Sequence, residues 1–372
     1  MQITAVTLHS IGMPLVGAFT TSFKRQVERE ALLIELTADV AGDSVTGWGE
    51  CVALPDPLYS SEYLSGCAEV IGRFLLPRLV HHDVTAETVQ HHLRPVKGHR
   101  MAKAALEMAV LDAQLRAAGQ SFASYLGATA ARVPSGVSVG IHDTVGELVE
   151  AVGGYLDAGY VRIKLKIEPG NDIEAVRAVR TEFGDELPLQ VDANAAYTLA
   201  DGPHLRRLDA FNLLLIEQPL GEEDLRQHAV LACEMTTPMC LDESIVSVES
   251  AADAIALGAA AVINVKAGRV GGYLEAKRIH DLARANGIAV WCGGMLETGL
   301  GRAANVALAA LPGFTLPGDI SASDRFYAED ITRPFVIEDG HITVPTGPGF
   351  GVEVIPERLR QTTTATTQLS LA

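Results

Sequence analysis

The sequence predicts an α/β protein built around a closed (β/α) barrel, and three observations carry that prediction. From about residue 133 onward, short apolar runs alternate with helical patterns, as the βα units of a parallel sheet do. The polar residues closing five successive runs, Lys166, Asp192, Glu217, Asp242 and Lys266, are separated by 26, 25, 25 and 24 residues. A fixed period marks one repeated unit, and eight such runs in about 185 residues suit barrel closure. No glycine-rich phosphate loop follows the first run, which disfavours an open doubly wound sheet.

Taken in order, residues 1 to about 60 read as β-rich. ITAVTLHSI and REALLIELTAD are strand-like, and GWGECVALPDP follows with turn chemistry. RMAKAALEMAVLDAQLRAAG sets Ala104, Ala105, Met108, Leu111 and Leu115 at helical spacing, with Gly119 as a stop. Barrel strands are expected at GVSVGI, VRIKLKI, LPLQVDAN, NLLLIEQP, PMCLDES, AVINVKAGR, IAVWCGG and FTLPGD, within residues 131–319. DIEAVRAVRTEFG and YLEAKRIHDLARANG are helices between them. FVIEDGHITVPTGPGFGV reads as a hairpin about Asp339-Gly340, in a segment (about 320–360) expected to return to the N-terminal region. The end, 361–372, with its Thr-rich start, is expected to be flexible.

With 372 residues and 48% hydrophobic residues, the chain can bury a large core. A formal charge of −17 disfavours nucleic acid as a partner, because phosphate binding needs clustered Lys and Arg. No secretory signal pattern opens the sequence, and no apolar run reaches the roughly 18 residues of a membrane span, so a cytoplasmic location is expected. Cys51, Cys67, Cys233, Cys240 and Cys292 are odd in number and lack a C-x-x-C pair; they read as buried free thiols.

The chemistry starts at VRIKLKIEPG. Alternate strand side chains share a face, so Lys164 and Lys166 emerge together while Ile163, Leu165 and Ile167 take the other side. In a barrel the C-terminal strand ends converge on one mouth. Asp192, Glu217 and Asp242 then become hard oxygen donors from three neighbouring strands, carboxylates that repel unless a cation holds them. An oxygen-only set suits Mg²⁺, with Mn²⁺ possible, and the lack of His or Cys argues against zinc. One strand-end Asp is commonly a turn former or helix cap. Three in register, flanked by strand lysines, fit that role poorly; a salt-bridged structural cluster is the alternative. Such a metal would stabilise the charge left when a proton α to a carboxylate departs. Burial, Lys164 and the cation would lower the pKa of Lys166 and poise it as a base. Lys266 would approach from the opposite side. Two bases on two faces permit racemisation; one base plus a passive cation permits β-elimination.

These residues resemble the enolase superfamily, and its muconate-lactonising-type subgroup in particular: KLK on the second barrel strand, the three carboxylates on the third to fifth, and Lys266 on the sixth. The mandelate-racemase-type subgroup has a His on the seventh strand, where AVWCGG has none. Dipeptide epimerases carry Asp-x-Asp on the eighth, where GDIS places Ser321 at the second position. Closer still, the chain is similar to the o-succinylbenzoate synthase and N-acylamino acid racemase family through PLYSSEY, DANAAY, IEQPL, LDES, NVKAGRVGGYLEA, GGMLETGLGRAANVALA and LPGDISASDRF.

The resemblance implies a (β/α)7β TIM-like barrel with an α+β capping domain, the latter from residues 1–130 completed by about 320–360. Loops around Phe19–Lys24 and Leu54–Tyr59 would close over the mouth. It implies Lys166 and Lys266 as catalytic lysines, Lys164 as an aid to both the enolate and Lys166, and Asp192, Glu217 and Asp242 as metal ligands. Asn194 and Glu243 would support them, with Glu243 orienting Lys266. Arg269 is typical of members with racemase activity, and Ser135, Phe19, Gly293, Gly294 and Met295 would line the acyl pocket. The expected function is Mg²⁺-dependent abstraction of a proton α to a carboxylate through an enediolate: o-succinylbenzoate synthesis, a dehydration in menaquinone biosynthesis, accompanied by N-succinyl or N-acylamino acid racemisation. A dedicated N-acylamino acid racemase is the alternative, followed by a dipeptide epimerase, a cycloisomerase and a non-catalytic barrel. The expected partner is a small-molecule carboxylate, and a homo-oligomer is expected by resemblance.

Overall fold

The computed structural model describes residues 1–371. The chain opens with an antiparallel meander of β1 (Gln2–Thr20), β2 (Arg25–Val40) and β3 (Asp43–Cys51). Period-two alternation gives β2 two buried faces. Leu32, Ile34 and Leu36 enter one core cluster with Val6 and Leu8, while Ala31 and Leu33 join Ile11 and Met13 in the cluster shared with the barrel.

The helix Arg100–Ala117 lies against this sheet with fourteen of its eighteen residues buried. GWGE, whose glycines suggested a turn, instead forms part of β3. A Cβ at Gly47 would sit 2.2 Å from the Ala109 carbonyl oxygen, and one at Gly49 would sit 2.1 Å from that of Ala105. The glycines bring the helix backbone against the strand.

The chain then runs through β4 (Arg132–Pro134), β5 (Gly136–Val139), β6 (Arg162–Lys166), β7 (Leu189–Asp192), β8 (Ile216–Glu217), β9 (Met239–Leu241), β10 (Val262–Val265) and β11 (Ala289–Cys292). Strands β5 to β11 pair in chain order as one parallel seven-stranded sheet. Polar caps start the intervening helices: the Thr144 and Ser247 side chains accept from the backbone N–H groups of Glu147 and Ser250.

The expected eighth strand, FTLPGD, is not a regular strand. Thr315 N–H donates to Val290 O and Asp319 N–H to Cys292 O on one side, while Gly136 N–H donates to Gly318 O on the other. The segment thus spans the gap between β11 and β5 by isolated bridges. Pro317 has no N–H to give a ladder, which accounts for the irregularity.

The Asp339-Gly340 turn forms, with both residues at positive φ (49° and 74°). The strand that follows, β12 (His341–Thr343), pairs with β4. The chain then returns to the N-terminal region: Phe350 N–H donates to Asp112, and Arg116 pairs with Glu353 at 2.7 Å. The Thr-rich end, expected to be flexible, forms β13 (Thr363–Gln368), antiparallel to β1. Threonine's β-branched side chain suits an edge strand, and Leu369 packs beside the capping core. Cys233 is exposed on the helix Leu225–Glu234, contrary to the expectation of five buried thiols; the other four are buried. Among the described residues no helix is long and apolar enough to cross a membrane.

Candidate active site

Register brings the charged residues together. Lys166 is paired with Asp192 across β6 and β7, and Asp192 with Glu217 across β7 and β8. Asp242 follows β9, and Lys266 follows β10. Asp192, Glu217 and Asp242 are all fully buried. Lys164 Nζ lies 3.2 Å from Asp192, 3.0 Å from Glu217 and 2.6 Å from Asp319. Lys166 Nζ lies 2.5 Å from Asp192, and Lys266 Nζ 2.7 Å from Asp242.

The two strand lysines have opposite electrostatics. Burial lowers the pKa of Lys166, and the Lys164 charge lowers it further, against the pull of Asp192. Burial would lower Lys164 too, but Asp319, Glu217 and Asp192 outweigh it and hold its ammonium form. Lys266 is likewise held above its ordinary value: Tyr59, Glu243 and Glu217 overcome burial. The mouth therefore sets one lysine poised to lose a proton against another that keeps its own.

Asn194 Oδ1 accepts from Lys166 Nζ at 2.6 Å, and Asn194 Nδ2 donates to Glu243 Oε1 at 2.9 Å. Glu243 thus reaches Lys166 through Asn194, and no hydrogen bond joins it to Lys266. Burial, with Asp192 nearby, raises Glu243 to about 7, and its Oε2 is buried without a partner. Arg269 donates to the carbonyls of Ile245 and Asn264 and ion-pairs with Asp242. It braces a carboxylate and does not line the central pocket.

That pocket is lined by Phe19, Gly294 and the three lysines. Ser135, Gly293 and Met295 adjoin residues of that lining without being part of it. The Ser135 hydroxyl donates to Ile320 O at 2.5 Å, and Met295 joins the capping core. A Cβ on Gly293 would meet Asn264 Oδ1 at 2.2 Å and Lys266 Cε at 2.8 Å, so this glycine makes room for both.

Several participants escaped the sequence reading. Asn264 Nδ2 donates to Glu217 Oε1 at 2.6 Å, and Arg162 lies 2.8 Å from Asp319. Both sit two residues before a lysine already singled out, so strand alternation could have found them. Tyr59 was expected only as the end of the Leu54–Tyr59 loop over the mouth, not as a partner of Lys266. It comes from a capping loop, accepts from Lys266 Nζ at 3.0 Å, and holds its ring 4.7 Å from that ammonium.

As arranged, no group of three His, Cys, Asp or Glu among the described residues frames a metal ion, because ammonium groups bond the carboxylates. The donor set nevertheless fits a hard divalent cation. It is all oxygen and wholly buried, and burial together with Asp192 raises the Glu217 pKa.

Residues 2–127 match the family described as "Mandelate racemase / muconate lactonizing enzyme, N-terminal domain", and residues 147–358 match "Enolase C-terminal domain-like". The chain belongs to the enolase superfamily, in its mandelate racemase/muconate lactonizing group. Its relatives include the N-succinylamino acid racemase of Amycolatopsis sp, 62% identical over 98% of both chains. The o-succinylbenzoate synthase of Bacillus subtilis is 44% identical, over 97% of this chain and 96% of the relative. A solved enolase-superfamily structure from Listeria innocua superposes with a TM-score of 0.95 at 41% identity, covering 100% of both chains. The protein is therefore an enzyme of this superfamily, whose members typically use a divalent metal ion.

Proposed function

We propose that the protein is an N-succinylamino acid racemase that also supports o-succinylbenzoate synthesis. Racemisation takes first place over the dehydration that the sequence reading favoured. The observation that carries it is the pairing of Lys166 and Lys266 across one pocket with opposite electrostatics, alongside 62% identity to a racemase.

Asp192, Glu217 and Asp242 would hold the ion, with Mg²⁺ as the fitting choice. When bound, it would supply Lewis-acid stabilisation of the charge that develops at the substrate carboxylate. Lys166, neutral, takes the α-proton from one face, and the electron pair passes into the enediolate. Lys266, as the ammonium, returns a proton to the other face. The reverse direction exchanges the two roles. Asn194 fixes Lys166 through its Oδ1, and Tyr59 fixes Lys266 through hydroxyl and ring. Lys164 stays cationic beside Lys166 and favours its neutral form.

The second reading, o-succinylbenzoate synthesis, starts with the same proton abstraction and is supported by relatives 44% identical. The test is turnover with Mg²⁺ of an N-succinylamino acid and of the cyclohexadiene precursor of o-succinylbenzoate. Racemisation with weaker or comparable dehydration is expected, lost on chelation and restored by Mg²⁺. Dehydration without racemisation would reverse the order, and turnover of neither by metal-loaded protein would overturn both.

A further inference from the structure

The stretch RPVKGHRMAK, Arg94 to Lys103, carries four Lys or Arg and no carboxylate, in a chain whose formal charge is −17. It joins the helix Ala86–Leu93 to the helix Arg100–Ala117, and its four cations line a cavity of about 520 Å³. The far wall is barrel: Val246, Ser247, Val270, Gly271 and Arg278. Gly271 closes the short helix Ala267–Val270 that Lys266 opens. The cavity thus lies in the seam between capping region and barrel, and it shares no lining residue with the central pocket.

These cations lack a matching charge. Lys103 is 8% exposed, and its Nζ donates to a neutral acceptor, the Val96 carbonyl, at 2.5 Å. Burial lowers its pKa, the Arg100 and Lys97 charges add to that, and Glu62 opposes them. Glu62 itself accepts from the Met101 and Ala102 N–H groups. Among the described residues no carboxylate ion-pairs with Arg94, Lys97, Arg100 or Lys103. Three carboxylates share the lining, each engaged otherwise. Glu87 accepts from Gln114 Nε2 and the Tyr125 hydroxyl. Glu275 accepts from Val248 N–H at 2.8 Å and lies 3.6 Å from Arg278. Glu249 is held by Ser247. Like charges that the fold crowds together in a recess attract an anion. The volume is that of a small-molecule site. No Phe, Tyr or Trp lines it, so it offers long cationic side chains and no aromatic stacking face, which suits a multiply charged oxyanion.

We propose that this seam binds a condensed phosphate, a di- or triphosphate group, through Arg94, Lys97, Arg100 and Lys103, with Arg278 reaching it from the barrel. The ligand would tie the capping region to the barrel beside the segment that follows Lys266.

The test is calorimetric titration of the Mg²⁺-loaded full chain, at fixed free Mg²⁺ and ionic strength, with inorganic triphosphate, ATP and sulfate. Triphosphate should bind with a Kd below about 1 mM and sulfate at least about 10-fold more weakly. Saturation should raise the melting temperature by about 2 °C or more. Lys103→Met and Arg100→Gln should each weaken triphosphate binding by about 10-fold and Arg94→Gln by about 3-fold, with kcat/KM in the absence of the anion within about 2-fold of the unmodified enzyme. Arg100→Gln and Arg94→Gln carry the test if Lys103→Met does not fold. Tighter binding of triphosphate points to the free ion and tighter binding of ATP to a nucleotide; either supports the site. Binding of neither, equal binding of sulfate, or binding unmoved by the substitutions overturns it. So does a change of oligomeric state in Arg94→Gln, seen by light scattering, without triphosphate binding, which would give the groove to a second copy of the chain.

Discussion

Lys164 and Lys166 leave one strand two residues apart, yet only Lys166 is pushed towards its neutral form. The difference lies in their partners: Lys164 touches three carboxylates and Lys166 one. Two substitutions probe this. Lys166→Ala should lower kcat by about 10²- to 10⁴-fold, the usual worth of a positioned acid or base, with the fold intact by circular dichroism. Asn194→Ala removes the acceptor that aims Lys166 and the donor that holds Glu243; a drop of about 10-fold in kcat, with KM little changed, is the expected outcome. At this scale the sequence was informative wherever a residue sits on a strand. The five lysines and carboxylates share a period; Asn264 lies one strand-face step before Lys266, and Arg162 one step before Lys164. The sequence reached Tyr59 only as the end of a loop expected to close over the mouth; its contact with Lys266 is set by tertiary packing that no local pattern encodes.

Among the elements, glycine was the misleading signal. Gly47 and Gly49 looked like turn residues and proved to be places where a helix presses on a strand. Gly49→Ala should lower stability by about 1–3 kcal/mol or more, read as a lower denaturation midpoint, since its new methyl would meet helix backbone rather than a movable side chain. The βα repeat was legible because apolar runs and capping residues recur along the chain. The irregular eighth strand was visible as a run ending at Asp319, but Pro317 within it hid the loss of ladder bonds. The Thr-rich end was misjudged for a physical reason: its polar composition resembles a solvated tail, and only its partner β1 makes it a strand. Ending the chain at Thr362 should uncover the β1 edge, lower the melting temperature and promote association, measured by light scattering.

At the scale of the molecule, two buried carboxylates tie the capping region to the barrel. Glu50 of β3 accepts from Thr298 and Gly301, and Glu107 accepts from Leu274 N–H and Gln90. Burial raises each to about 7, from 4.5 for an ordinary glutamate. In the unfolded chain they release protons near 4.5, so between 4.5 and 7 the folded state binds more protons. Stability should therefore fall as pH rises through that window, by up to about 3 kcal/mol for each group. Glu107→Gln should flatten its share of the slope in denaturant titrations at a series of pH values; an unchanged slope would remove Glu107 from this account. The union of the two regions matters for function because Tyr59 of the capping region and Lys266 of the barrel meet at the mouth.

The central claim is that Lys166 and Lys266 work on opposite faces of one carbon, and α-hydrogen exchange in D₂O tests it most directly. With Mg²⁺ present, each pure enantiomer of an N-succinylamino acid is incubated with Lys166→Ala and with Lys266→Ala, and deuterium incorporation is followed by NMR. Lys166→Ala should exchange one enantiomer only and Lys266→Ala the other only, with racemisation lost in both. A variant that still exchanges both enantiomers would contradict the two-lysine account.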